Sequence, residues 1–176
     1  MNETLKILKE RRSVRRYEAR PVEREKLEAI LEAGKYAPSA MGRQSVTMAV
    51  LTRREDIARL SALNAAVMGA SGDPFYGAPC VVVVLADPEA TSAANAQRDG
   101  SLVMGNLMNA AWSLGVSSCW INRAEEVFAG PEGKALLRRW GLPEGLVGVG
   151  NCVLGYAAGG IPAAAPRKAD FVKFVD

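Results

Sequence analysis

Four arginines and one hydroxyl fall within six residues at Arg11-Arg-Ser-Val-Arg-Arg16. A guanidinium fork matches phosphate oxygens with paired, charge-assisted hydrogen bonds, and a serine hydroxyl adds a neutral donor. If the segment is extended, Arg11, Ser13 and Arg15 share one side and Arg12 and Arg16 the other. One side then carries two guanidiniums and a hydroxyl, enough to hold a phosphate and nearby sugar oxygens. The same residues also read as a solvated basic patch or a weak nucleic-acid contact. Taken alone, the segment does not choose between these readings.

Three further segments carry groups of use to a flat, polar ligand. Pro38-Ser-Ala-Met-Gly-Arg-Gln44 is built from small residues that let backbone approach a ligand, and Gln44 offers a donor and an acceptor to a ring edge. Its plainer reading is a helix-terminating turn. Leu114-Gly-Val-Ser-Ser-Cys-Trp-Ile-Asn-Arg123 ends in Trp120, Ile121 and Asn122. It presents an indole and backbone groups to a flat ligand, or is simply a core strand. Arg167 and Lys168 add two cations near the C-terminus, or belong to a surface turn.

What is missing narrows the chemistry. The chain has no histidine. That removes Ser-His-Asp and Cys-His nucleophilic catalysis, histidine acid–base work and most zinc and non-haem iron sites. Cys80, Cys119 and Cys152 are far apart, each in an apolar run, and read as inert core thiols with no metal site. Gly148 to Gly155 lacks the G-x-G-x-x-G spacing, and no G-x-x-x-x-G-K-[ST] occurs. An enzyme made from this sequence draws its reactivity from a cofactor.

The elements that must position these residues follow from composition and periodicity. With 176 residues, 49% of them apolar, the chain reads as a single globular domain over 1–176. Net charge is only +3. Asn2 caps a first helix with Leu5 and Leu8 on its inner face. A second helix spans roughly 22–37, and a third 54–67. Val46–Leu51 is a short strand, and Cys80–Ala86 is a strand buried on both faces. A long helix at 91–114, apolar almost all round from Leu102, belongs in the core or at a subunit interface. Strands at 116–121 and 146–156 follow, with short helices between them near 124–128 and 132–140. The tail from Ala157 is apolar yet not hairpin-like, which suggests an arm that packs on a partner chain. No apolar run is long enough to span a bilayer, and the first residues lack the apolar stretch of a signal peptide, so a cytoplasmic chain is expected.

Together the four segments resemble the nitroreductase family, the FMN-dependent NAD(P)H oxidoreductases. Arg11-Arg-Ser-Val-Arg15 is similar to that family's R-x-S-x-[RK] motif, and Ala37-Pro-Ser-Ala-Met-Gly-Arg-Gln44 to its [AS]-P-S-x-x-N-x-Q loop. Leu114 to Ile121 resembles its strand after the central helix, and Pro166-Arg-Lys168 its basic tail. Order and spacing match along essentially the whole chain. The resemblance implies an α+β fold, a mostly antiparallel sheet flanked by helices in an intertwined homodimer. The long helix lies at the interface, the C-terminal arm adds to the partner's sheet, and two FMN sites are each built from both subunits.

Carried over by position, the resemblance implies that Arg11, Arg12, Ser13 and Arg15 hold the FMN phosphate, ribityl chain and pyrimidine edge. Arg15 is then the cation that stabilises reduced flavin, and Arg167 with Lys168 closes on the phosphate. From the other subunit, Pro38, Ser39 and Ala40 line the flavin, with Gln44 nearby. Trp120, Ile121 and Asn122 run beneath the ring, with a backbone N–H near Asn122 by flavin N5. Asn64 matches an asparagine at the flavin's polar edge in some members. The loop Gly69–Pro79 lies by the acceptor site, where Phe75 and Tyr76 either favour a flat substrate or pack beneath the loop. The implied reaction is ping-pong hydride transfer from NAD(P)H through FMN to a nitroaromatic, quinone or enone.

Two departures stand out: Gly42 replaces the loop's usual asparagine, and Ser45-Val46 a common Pro-Trp. Rival readings are a flavin sensor or store with little turnover, a small nucleic-acid binder, and a family member that has lost FMN. The expected partners are a second copy and a small acceptor, with neither nucleic acid nor membrane.

Overall fold

The computed structural model describes residues 2–175. In chain order the elements are α1 (Glu3–Glu10), α2 (Arg24–Lys35), β1 (Val46–Leu51), α3 (Arg54–Met68), β2 (Cys80–Ala86), α4 (Ala93–Ser113), β3 (Ser117–Ile121), α5 (Ala124–Ala129), α6 (Pro131–Arg139) and β4 (Val147–Gly155). A single 3-10 turn at Ala40–Gly42 interrupts the loop after α2. Local chemistry sets several boundaries. Asn2 Oδ1 accepts from the Thr4 N–H at 2.9 Å to start α1, and Ser92 Oγ accepts from the Asn95 N–H at 3.3 Å to start α4.

The strands form one antiparallel sheet in the order β1-β2-β4-β3. An antiparallel sheet often alternates apolar and polar residues because one face meets water. β2 does not, since helices cover both faces. Val81, Val83 and Leu85 pack with Leu60 of α3, Phe128 of α5 and Leu137 of α6. Val82, Val84 and Ala86 pack on the other side with Ile30 of α2 and with Met104 and Leu107 of α4. The result is the expected α+β architecture. Where β4 pairs with β2, Leu85 faces Gly148 and Val84 faces Gly150, so Val149 is an extra, bulged residue. α4 lies close over this bulge: a Cβ on Gly100 would come within 2.5 Å of Val149 Cγ2. Only glycine permits that approach.

The segment between α1 and α2 is neither helix nor named strand, but it lies extended along the outer edge of β3. The Val14 N–H donates to Ser118 O at 3.0 Å, and Ser13 forms a parallel bridge with Ser118. Farther on, the Glu18 N–H donates to Tyr156 O at 2.9 Å, and Tyr17 bridges Ala157.

One sequence expectation needs correcting. Leu5 and Leu8 are not on an inner face: each is about half exposed, and α1 buries none of its residues within the chain. Among the helices and strands, α4 is the main neighbour of α1 and leaves its apolar stripe about half exposed. The tail behaves similarly. Beyond Ala157 it has no regular structure, and Ile161, Phe171, Val172, Phe174 and Val175 are exposed. Among the described residues, no helix is long and apolar enough to cross a membrane.

Candidate functional site

Pairing with β3 fixes which way each arginine points. Val14 turns inward and is buried in the core. Arg11, Ser13 and Arg15 turn toward β3, and the Cys119 thiol feels all three. Burial pushes that thiol up, while Arg15, the Ser13 hydroxyl and Arg11 pull it back. Two guanidiniums and a hydroxyl thus lie near one strand, in keeping with the alternation of an extended segment. Arg12 leaves the group. Its Nη1 donates to Lys9 O at 2.7 Å and to Arg11 O at 2.8 Å, closing the C-terminus of α1. Within the chain, Arg12 Nη1 therefore serves as a helix cap.

Beside this convergence lies a cavity of about 540 Å³, lined by Arg15, Met68, Tyr76, Cys119, Trp120, Ile121, Asn122 and Arg123. That volume lies within the roughly 300–1,000 Å³ of small-molecule and cofactor pockets. The arginine segment beside the cavity is cationic and under-bonded. Among the described residues, Arg11, Arg12, Arg15 and Arg16 have no carboxylate within ion-pair distance. Arg11 Nη1 and Ser118 Oγ are buried with no hydrogen-bond partner, and so is Trp120 Nε1. Buried donors without acceptors are rare and costly. A guanidinium nitrogen left that way marks a candidate anion site.

Several expected residues lie elsewhere. Asn64 is completely buried. Its Oδ1 accepts from Asn151 Nδ2 at 3.1 Å, and its Nδ2 donates to Met68 Sδ at 3.3 Å. Within the chain it ties α3 to β4. Phe75 is likewise fully buried in the core, so only Tyr76 of the aromatic pair reaches the cavity. Asp73 causes this split by gathering the loop around its carboxylate. Its Oδ1 accepts from Ser61 Oγ at 2.5 Å and from the Phe75 N–H at 2.8 Å, and its Oδ2 from the Gly77 N–H at 2.7 Å. Arg167 and Lys168 stay on the exposed tail, where Lys168 lies 3.9 Å from Asp170. They do not line the cavity of their own chain.

The second loop forms a separate, smaller cavity of about 120 Å³. Pro38, Ser39 and Gln44 line it with Lys35, Met48 and Asp99. The Ala40 N–H donates to Asp99 Oδ1 at 2.9 Å, and Ser45 Oγ donates to Asp99 Oδ2 at 3.0 Å. Sequence reading passed over Asp99; its signal was a lone acid on the inner stripe of an apolar helix. One chain therefore carries two partial surfaces.

Arg123 was also missed as a cavity residue. It sits in the left-handed region at φ +78°, between β3 and α5, with Nη1 donating to Glu126 Oε1 at 2.8 Å. A non-glycine residue there costs about 1–2 kcal/mol, and an exposed ion pair returns little of it. Arg123→Gly is expected to stabilise the protein by about 0.5–1 kcal/mol after glycine's extra chain entropy. That amounts to roughly one to four degrees in a thermal melt. An unchanged or lower midpoint would mean that the arginine is held without strain.

Comparison with known proteins places this geometry. The model of the nitroreductase family matches residues 8–74 and 65–156. A protein of Archaeoglobus fulgidus named as a putative NADH dehydrogenase/NAD(P)H nitroreductase is 32% identical over 161 residues, covering 89% of this chain and 86% of its own. A crystal structure of a nitroreductase with bound FMN from Bacteroides fragilis superposes with a TM-score of 0.91 at 31% identity, covering 100% of both chains. A second, also with bound FMN, from Desulfitobacterium hafniense, does so with a TM-score of 0.89 at 32% identity, again over 100% of both. The arginine-bearing edge of β3, the loop after α2 and the four-stranded sheet all fall within these matches, and the chain belongs to the nitroreductase family.

Proposed function

We propose that this protein is an FMN-dependent oxidoreductase that works as a homodimer and passes hydride from NAD(P)H to a small, flat acceptor such as a nitroaromatic, quinone or enone. The observation that carries this reading is the unpaired cationic edge: Arg11, Ser13 and Arg15 converge on β3, and Arg11 Nη1 is buried without a partner. A phosphate would satisfy that donor, and among the described residues no acid does. The FMN bound in the similar structures from Bacteroides fragilis and Desulfitobacterium hafniense supports the choice of phosphate ester.

Bound FMN supplies a carrier that accepts hydride and gives it up again. The chain's own residues do the rest. Arg11 and Ser13 bind the phosphate and sugar side, and Arg15, at the cavity wall, offers positive charge to the electron-rich edge of the ring. Trp120, Ile121 and Asn122 form the floor, and the backbone N–H near Asn122 serves as a donor to the ring. Tyr76 stands at the mouth. No side chain acts as general base. The chain lacks histidine, and burial holds the Tyr17 phenol far above its ordinary value, its OH donating to Val14 O at 2.8 Å. A second copy completes the pocket with Pro38, Ser39, Ala40 and Gln44. The exposed Leu5 and Leu8 stripe and the apolar tail supply the interface, and Arg167 and Lys168 bring further charge to the phosphate. A cytoplasmic, membrane-independent enzyme fits this reading.

The purified protein is expected to show a flavin absorption spectrum that bleaches promptly when NADH or NADPH is added without oxygen. A flavin spectrum that persists would favour a sensor or storage role. A colourless protein that takes up no added FMN would defeat the proposal.

A further inference from the structure

The inner stripe of α4 contains one acid, Asp99, among Ala96, Gly100, Val103, Met104 and Leu107. Only 4% of Asp99 is exposed. Among the described residues no cation pairs with it. Burying a carboxylate is costly unless its oxygens are well bonded. Here both oxygens serve one loop, Oδ1 at the Ala40 N–H and Oδ2 at the Ser45 hydroxyl. Between those two anchors the backbone is strained. Met41 at φ +53° and Gln44 at φ +50° are non-glycine residues in the left-handed region, with Gly42 at φ +65° between them. Such conformations persist where surrounding structure holds them, and they cluster at ligand sites.

We infer that Asp99 is a positioning residue of the flavin site, clamping Ser39–Ser45 in the strained shape that this loop presents to the cofactor. The inference rests on the reading of the loop as part of an FMN pocket. The physical advantage is preorganisation: the ordering cost of the loop is met by α4 before the ligand arrives. The clamp holds the loop in shape although Gly42 brings no side chain to it.

Asp99→Ala removes both acceptors. Asp99→Asn keeps Oδ1 for the Ala40 N–H and turns its amide to Ser45, whose oxygen then accepts. Ser45→Ala removes one anchor only and serves if Asp99→Ala folds poorly. In Asp99→Ala, FMN affinity measured by titration of the apo-protein is expected to fall on the order of tenfold or more, the loss given by hydrogen bonds to a charged group. Asp99→Asn should stay within about threefold, and Ser45→Ala should fall between them. Independently of flavin, tryptic cleavage after the exposed Arg43 in the apo-protein is expected to quicken on the order of tenfold in Asp99→Ala, because the loop opens locally.

Unchanged FMN affinity in folded Asp99→Ala would overturn the inference, whatever its thermal midpoint. So would an Asp99→Asn protein as weak as Asp99→Ala, because charge rather than clamping would then be at work. A wild-type protein that takes up no FMN would defeat the parent reading instead. The tryptic comparison would still show whether Asp99 holds the loop.

Discussion

Replacing Arg11 and Arg15 together by alanine is expected to release FMN from a protein that otherwise folds normally. Each guanidinium contributes charge-assisted hydrogen bonds worth about 1.5–3 kcal/mol net. Losing two removes about 3–6 kcal/mol, or roughly two to four orders of magnitude in affinity. The stability of the apo-protein should move little. Arg15 is exposed, and Arg11 Nη1 is a buried charge-bearing donor with no partner, which burdens the fold when no anion is present. This separates binding from scaffolding: arginines that served the fold would lower the apo midpoint, whereas ligand-binding ones leave it unchanged or raise it. Lysine at both positions keeps the charge but loses the planar fork, and intermediate affinity is expected. A double alanine variant that keeps its flavin through gel filtration would show that the phosphate is bound elsewhere.

Truncation after Ala164 is expected to abolish the dimer and the flavin site together. The tail residues Phe171, Val172, Phe174 and Val175 are 67–86% exposed in the isolated chain. Each is worth about 1.5–3 kcal/mol when fully buried, so four of them represent a large share of any interface they enter. The same cut removes Arg167 and Lys168. Sedimentation velocity should show the truncated chain as a monomer, and its visible spectrum should lack flavin. The variant Arg167→Ala/Lys168→Ala isolates the charges: it should remain dimeric while holding FMN less tightly. A truncated protein that sediments as a dimer and stays yellow would show that the arm plays no part.

Much of the scaffold was legible because it is local. The run from Cys80 to Ala86 is apolar at every position, and a strand with that pattern must be covered on both faces. The acceptor at Asn2 starts a helix within two residues of itself. Alternation along an extended backbone put Arg11, Ser13 and Arg15 on one side before any partner strand was known. The absence of histidine, readable from composition alone, leaves a cofactor as the source of reactivity.

Other features were decided by contacts that only the folded chain makes, some between near neighbours and some between residues far apart. Arg12 looked equal to its neighbours until the C-terminus of α1 took its guanidinium. Phe75 and Tyr76 are adjacent, yet Asp73 turns one into the core and the other to the cavity. Asn64 found Asn151, 87 positions away, and Asp99 found Ala40 and Ser45 more than 50 positions back. Leu5 and Leu8 have the spacing of a buried stripe, but the described residues of their own chain leave each about half exposed. Spacing along the backbone determines which side chains share a face, because the dihedral angles repeat locally. Which face meets solvent, a ligand, a buried carboxylate or a second chain depends on surfaces that only the folded molecule brings together.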